Sequence, residues 1–156
     1  MASMRLLQAA TPLEWDEARR LVREYAAALD VDLCFQNFEQ ELQRFPTEYG
    51  APGGAFILVE DAGQHVACVG LRRFSDDSGE MKRLYVVPAA RGRGLGRVLV
   101  ERIVSDARRI GYRNLLLDTL PSMKEAQALY LSLGFKPTTA YRVNPVPGSA
   151  FLRRDL

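Results

Sequence analysis

"VVPAARGRGLGR", Val86 to Arg97, crowds three glycines and three arginines into its last seven residues, directly after an apolar run. Glycines that close together leave backbone N–H groups bare, and arginine adds fixed positive charge, so the stretch suits an anion. Leu95 to Ile110 then reads as an amphipathic helix stopped by Gly111. A glycine-rich turn feeding a helix aims unpaired N–H groups and the helix dipole at one spot. Two common phosphate loops do not match. A nucleoside-triphosphate loop needs Lys-Ser or Lys-Thr after its glycines, and neither follows here. A dinucleotide loop needs G-x-G-x-x-G, whereas Gly92, Gly94 and Gly96 alternate and Arg97 stands in the third glycine's place. Asp118, at the end of the next strand, does mimic the acidic ribose ligand of that fold.

Upstream of the loop, "AFILVED" (55–61), "HVACVGLRRF" (65–74) and "GEMKRLYVV" (79–87) are β-rich runs separated by turn chemistry, which predicts a three-stranded antiparallel meander. A dinucleotide loop opens a series of βαβ units instead, a second count against that reading. Further back, Met4 to Ala9 suits a short strand. Thr11, Pro12 and Glu14 have the pattern of a helix start, for a helix reaching about Leu29. A second helix is expected from near Asn37, stopped by Pro46. Downstream, "NLLLDT" (114–119) is apolar enough for a strand buried on both faces. A helix from about Ser122 to Leu133 follows, then two strands around a Pro/Gly loop. The predicted order, β α α β β β α β α β β, is a mixed α/β sheet.

The chain has 156 residues, 47% hydrophobic and 26% charged, with a net charge of +2. That length suits one domain, 1–156, and the charge balance points to neither a nucleic-acid nor a membrane partner. No window approaches a membrane span and the N-terminus lacks a signal-peptide core, so a cytoplasmic protein is expected. Cys34 and Cys68 sit in apolar settings and read as buried free thiols rather than a disulfide or a metal site.

The loop, with Arg91, Gly94 and Gly96 on the signature positions, resembles the [Q/R]-x-x-G-x-[G/A] acyl-CoA pyrophosphate loop of the GNAT superfamily of N-acetyltransferases. "AQALYLSLGF" (126–135) resembles the family's A-x-x-L-Y-x-x-x-G-F segment. The resemblance implies a GNAT-type fold, with a mostly antiparallel sheet of six to seven strands flanked by about four helices. It implies acetyl-CoA as acyl donor, no metal, and a primary amine of a small molecule as acceptor, attacked directly in a ternary complex. By the same resemblance the N–H groups of Arg91, Gly92, Arg93, Gly94, Leu95 and Gly96 bind pyrophosphate, and one or two of the Arg91, Arg93 and Arg97 side chains contact phosphate while the rest add field. Tyr85, Val86 and Val87 lie on a bulged strand that pairs with pantetheine, and an N–H near Val86 donates to the thioester oxygen. Tyr130 matches the family's general acid, and Glu80 a position where many members carry the base; Asp118 and Glu125 are weaker candidates. A non-catalytic CoA-binding module and a protein or peptide acetyltransferase are the alternatives.

One departure stands out: Met123 occupies the place of a family asparagine that helps hold the cofactor, leaving Ser122 or Lys124 for that contact. The acceptor site is expected between the first two helices, with "CFQNFEQEL" as one wall, and the last hairpin, with Tyr49, Tyr141, Arg142 and Asn144 suggesting a small polar or amino-acid-like amine. His65 is given no role. A homodimer through the apolar "AFL" (150–152) of the last strand is possible on the family pattern.

Overall fold

In the computed structural model, which describes residues 4–29, 38–144 and 146–156, Thr11 caps the first helix as its sequence suggests. Its Oγ1 accepts from the Glu14 N–H at 3.2 Å, while Glu14 Oε1 accepts from the Thr11 N–H at 3.0 Å. That helix, α1, is Pro12–Ala28 and follows β1, Met4–Gln8. Two short helices come next, α2 (Phe38–Gln43) and α3 (Phe45–Glu48). Pro46, expected to end a helix, sits instead in the first turn of α3, where a missing N–H costs nothing because that donor has no intrahelical partner. The expected start at Asn37 lies outside the described residues.

β2 (Ala55–Asp61), β3 (Gln64–Arg73) and β4 (Ser78–Val86) form the antiparallel meander, extended by β1 on its outer side. α4 (Leu95–Ile110) and β5 (Asn114–Thr119) have the expected bounds. α5 spans Lys124–Ser132, starting later than expected because Met123 takes the cap position. β6 (Lys136–Pro137) and β7 (Ala150–Asp155) complete a seven-stranded sheet of order β1-β2-β3-β4-β5-β7-β6. β7 is an inner strand, hydrogen-bonded to both β5 and β6, so "AFL" is not a free edge: Leu152 is buried and Phe151 packs edge-on against Tyr141 at 5.4 Å. No helix among the described residues is long and apolar enough to cross a membrane.

Period-two alternation sorts the strand residues onto two faces. Ile57, Val59, Val69, Met81 and Leu117 pack beneath α4 and α5, with Leu99, Ile103 and Phe135. Phe56, Leu58, Cys68 and Tyr85 face the other way, onto Trp15, Leu21 and Val22 of α1 and Phe38 to Tyr49 of the short helices. Gly70 on that second face is held to its size. A Cβ there would come within 2.6 Å of the fully buried Tyr49 ring, itself packed edge-on against Phe45 and Phe56. Gly70→Ala is expected to destabilise the protein by about 1–3 kcal/mol, the usual cost of overpacking, read as a lower urea midpoint at unchanged slope.

Two irregularities shape the middle of the sheet. Cys68 pairs with Tyr85 and Gly70 with Lys82, so β4 carries one residue more than β3 over this span. The extra length is a bulge at Arg83, whose φ of 63° is a left-handed conformation rare outside glycine. Ahead of it, β4 and β5, the one parallel pair among the described residues, stay together for only three residue pairs, Ser78↔Asn114 to Glu80↔Leu116. From there the two strands part.

Candidate active site

The parting strands leave a cavity of about 600 Å³ bordered by β4, β5, the C-terminal part of α1 and the start of α5. Val86 reaches it through its backbone. The Val87 N–H donates to Val66 O across the antiparallel pair at 2.9 Å. Successive N–H groups point to opposite edges of a strand, so the Val86 N–H faces the gap. Its carbonyl accepts from Arg91 Nε at 3.0 Å on the same side, which ties the loop back to the strand end.

The loop itself is built for an anion. Gly92 and Gly94 have φ of 83° and 76° and open space where a Cβ would stand, while the Leu95 side chain is buried under the loop as an anchor. The N–H groups of residues 92–97 donate to no protein acceptor among the described residues, and the last of them form the first turn of α4, whose dipole favours negative charge. The Arg91 N–H is less free, since it reaches Pro88 O at 3.3 Å. Gly96 plays a different part, because a Cβ there would lie 3.2 Å from Leu129 of α5; this glycine sets how closely the two helices approach. Of the arginines, Arg93 pairs with Asp61 at 2.9 Å and Arg97 reaches Ser132 Oγ at 3.3 Å; Arg91 alone of the three borders the cavity.

Tyr130, on α5, is buried with its ring 5.8 Å from Phe135, and it borders the cavity. Its hydroxyl makes no hydrogen bond among the described residues, and burial pushes the phenol above its ordinary range, so it holds its proton. Tyr25 and Tyr85, 5.8 Å apart and edge-on, form the facing wall. Met123 lies beside them, its sulfur 3.9 Å from the Tyr25 hydroxyl and 3.7 Å from Thr119 Oγ1. Ser122 and Lys124 border the same cavity.

Glu80 is fully buried. Its Oε1 accepts from Arg72 Nε at 3.0 Å and Arg142 Nη2 at 2.6 Å, and its Oε2 from the Tyr141 hydroxyl at 2.8 Å. Tyr141 stacks edge-on against Phe74 at 5.0 Å, with burial and then the Glu80 charge raising its phenol pKa. Arg72 continues the network to Glu48 at 3.1 Å, and Arg83 pairs with Glu41 at 2.8 Å. These pairs join α2, α3, β3, β4 and the 138–149 loop. Asp118 is the carboxylate of β5 that borders the cavity, with Lys82 of β4 3.5 Å away and Asn144 Nδ2 donating to it at 3.0 Å. Cys68 is buried and burial pushes its thiol up; Cys34 lies outside the described residues.

Sequence reasoning missed Lys82, Tyr25 and the two-sided character of the cavity. A signal for Lys82 exists: Glu80 and Lys82 stand two apart on a strand, hence on one face. Met81 and Leu117 enter the cavity from the α4 side of the sheet, Lys82 and Asp118 from the α1 side.

Comparison with known proteins agrees with this architecture. A family model for the acetyltransferase (GNAT) domain matches residues 52–137. An uncharacterised N-acetyltransferase of Schizosaccharomyces pombe is 38% identical over 147 residues, covering 93% of this chain and 90% of the relative. Among solved structures, an acetyltransferase from Streptococcus agalactiae superposes with a TM-score of 0.80 at 23% identity, covering 98% of both chains. The yncA protein of Salmonella typhimurium, solved with its cofactor acetyl-CoA, gives 0.71 at 20% identity, covering 98% of this chain and 94% of that one. The meander, the bulged strand, the parting of β4 from β5 and the bare glycine loop are thus those of an acyl-CoA-dependent N-acetyltransferase that takes acetyl-CoA as its donor, and the chain belongs to the GNAT acetyltransferase family.

Proposed function

We propose that residues 1–156 act as one catalytic domain that moves the acetyl group of acetyl-CoA onto the primary amine of a small molecule, by direct attack with donor and acceptor bound together. The observation that carries this reading is that Val86, Tyr130 and Asp118 border one cavity together with Arg91, which leads into the loop whose N–H groups at residues 92–97 are bare. Acetyl-CoA supplies an activated acyl carbon; the protein must supply position, charge stabilisation and two proton transfers. Loop N–H groups hold the pyrophosphate. The Val86 N–H stabilises the negative charge that builds on the thioester oxygen as nitrogen attacks. The acceptor ammonium first releases one proton to water to give the free amine; as the N–C bond forms, the second proton leaves to Asp118, and as the C–S bond breaks, Tyr130 gives its proton to the sulfur.

Glu80 is proposed as a positioning residue. Both its oxygens are occupied by donors from Arg72, Arg142 and Tyr141, which supports a role in holding the 138–149 loop against the sheet. That loop, fastened also by Asn144 to Asp118, supports a confined acceptor pocket and so a small molecule. Direct attack is supported over an acyl-enzyme by Cys68, whose buried thiol donates to Arg83 O at 3.3 Å. A cytoplasmic setting suits its free thiol.

The test is thiol release from acetyl-CoA against a panel of primary amines, with the acetylated product identified by mass. We expect release that depends on the amine. Tight CoA binding with no release for any amine would overturn the catalytic reading in favour of a binding module.

A further inference from the structure

We infer that the acceptor is an α-amino acid or a close zwitterionic analogue, its carboxylate held by Lys82 and its ammonium by Asp118; this rests on the acetyl transfer proposed above. The charges on the α1 side of the sheet pair off unevenly. Arg83 is taken by Glu41, Arg72 by Glu48 and Glu80, and Arg142 by Glu80, all between 2.6 and 3.1 Å. Lys82 and Asp118 are left over from these pairs, and both border the cavity. Arg91, Lys124 and Glu125 border it too, but they are exposed to water and need no ligand.

Lys82 is only 15% exposed, yet its ammonium donates no hydrogen bond among the described residues. Asp118 stands 3.5 Å away and Glu80 3.9 Å. Asp118 is 12% exposed; its Oδ2 accepts from Asn144, and its Oδ1 accepts no hydrogen bond among the described residues. A desolvated ammonium with carboxylates near it but none close enough for a hydrogen bond is costly. Burial pushes Lys82 below the ordinary lysine range, against the pull of the Glu80 and Asp118 charges and with the help of Arg83 and Arg72.

An anionic group with lone pairs relieves that cost where it stands. A plain alkylamine satisfies Asp118 and leaves Lys82 bare, whereas a carboxylate without an amine offers nothing to acetylate. One positive and one negative group side by side complement a molecule whose own ammonium and carboxylate are separated by a single carbon. Discrimination between acceptors then comes from the unmet hydrogen bonds that the wrong molecule leaves behind.

The experiment compares L-amino acids with the amines of the same side chain that lack the carboxylate. Thiol release gives kcat/KM for each pair in the wild type, K82M and K82R. The amino acid is expected to lead by about 10- to 100-fold in the wild type, the value of a hydrogen bond to a charged group. That ratio should fall toward one in K82M and recover in part in K82R, whatever the variants do to turnover as a whole. Equal values within each wild-type pair, a ratio unchanged in K82M, or acetylation of Lys82 itself on incubation with acetyl-CoA alone would overturn the inference while leaving acetyl transfer standing. Binding of the same amino acids to the CoA-loaded protein is followed by thermal shift. A shift present in the wild type and lost in K82M supports the subsite even if no amine is turned over; no shift in either protein, together with no turnover, overturns it.

Discussion

Tyr130→Phe is expected to lower kcat by about 100- to 10,000-fold, the usual worth of a positioned general acid, while leaving the fold intact. The substitution removes one oxygen that makes no hydrogen bond among the described residues, and it keeps the ring packed on Phe135. Stability therefore has little to lose, and the urea midpoint should stay close to that of the wild type. The loss should fall on kcat rather than on the KM for acetyl-CoA, because the loop proposed to hold the pyrophosphate is a separate part of the site. Burial raises the Tyr130 pKa above the ordinary phenol value of about 10. The wild type should accordingly show no descending limb from this residue at any pH below about 10. Unchanged turnover in the variant would remove Tyr130 from the mechanism and leave it as a core aromatic.

Glu80→Gln should act in the opposite way, through the fold before the chemistry. The carboxylate is fully buried and neutralises Arg72 and Arg142. Removing its charge leaves Arg142 without a counter-ion, while Arg72 keeps Glu48; breaking a buried pair from one side costs about 3–5 kcal/mol. The urea midpoint should drop markedly. What activity survives should show a raised KM for the acceptor, since the amide keeps one oxygen where Tyr141 and Arg142 had two, and one of the contacts that fasten their loop is lost. Were Glu80 the base, kcat would collapse in the folded variant while the KM for the acceptor held; that result would restore the role its sequence position suggests.

Local chemistry was legible wherever one short segment decides the outcome. The Thr11 capping box, the bounds of Leu95–Ile110 and Asn114–Thr119, and the glycine loop all rest on residues within one or two turns of each other. Pro46 misled because a proline that ends one helix is equally suited to begin another. The surroundings of Glu80 were hidden for a different reason. It follows "SDDSG", which reads as surface, while its partners Arg72, Tyr141 and Arg142 come from 8, 61 and 62 residues away. "AFL" looked exposed because nothing in a tail says that β7 inserts between β5 and β6. Gly96 read as one more phosphate glycine, since its contact with Leu129 exists only once α4 and α5 are packed together.

The parting of β4 from β5 has a consequence for the order of events. Met81 and Leu117 border the gap from one side of the sheet and Lys82 and Asp118 from the other, so both faces contribute to its lining. Under the direct attack proposed above, a nucleotide-bearing donor held at the α4 end and a small acceptor admitted at the α1 end would meet in the middle of the sheet. Neither would have to climb past the other, so each could come and go while its counterpart stayed seated.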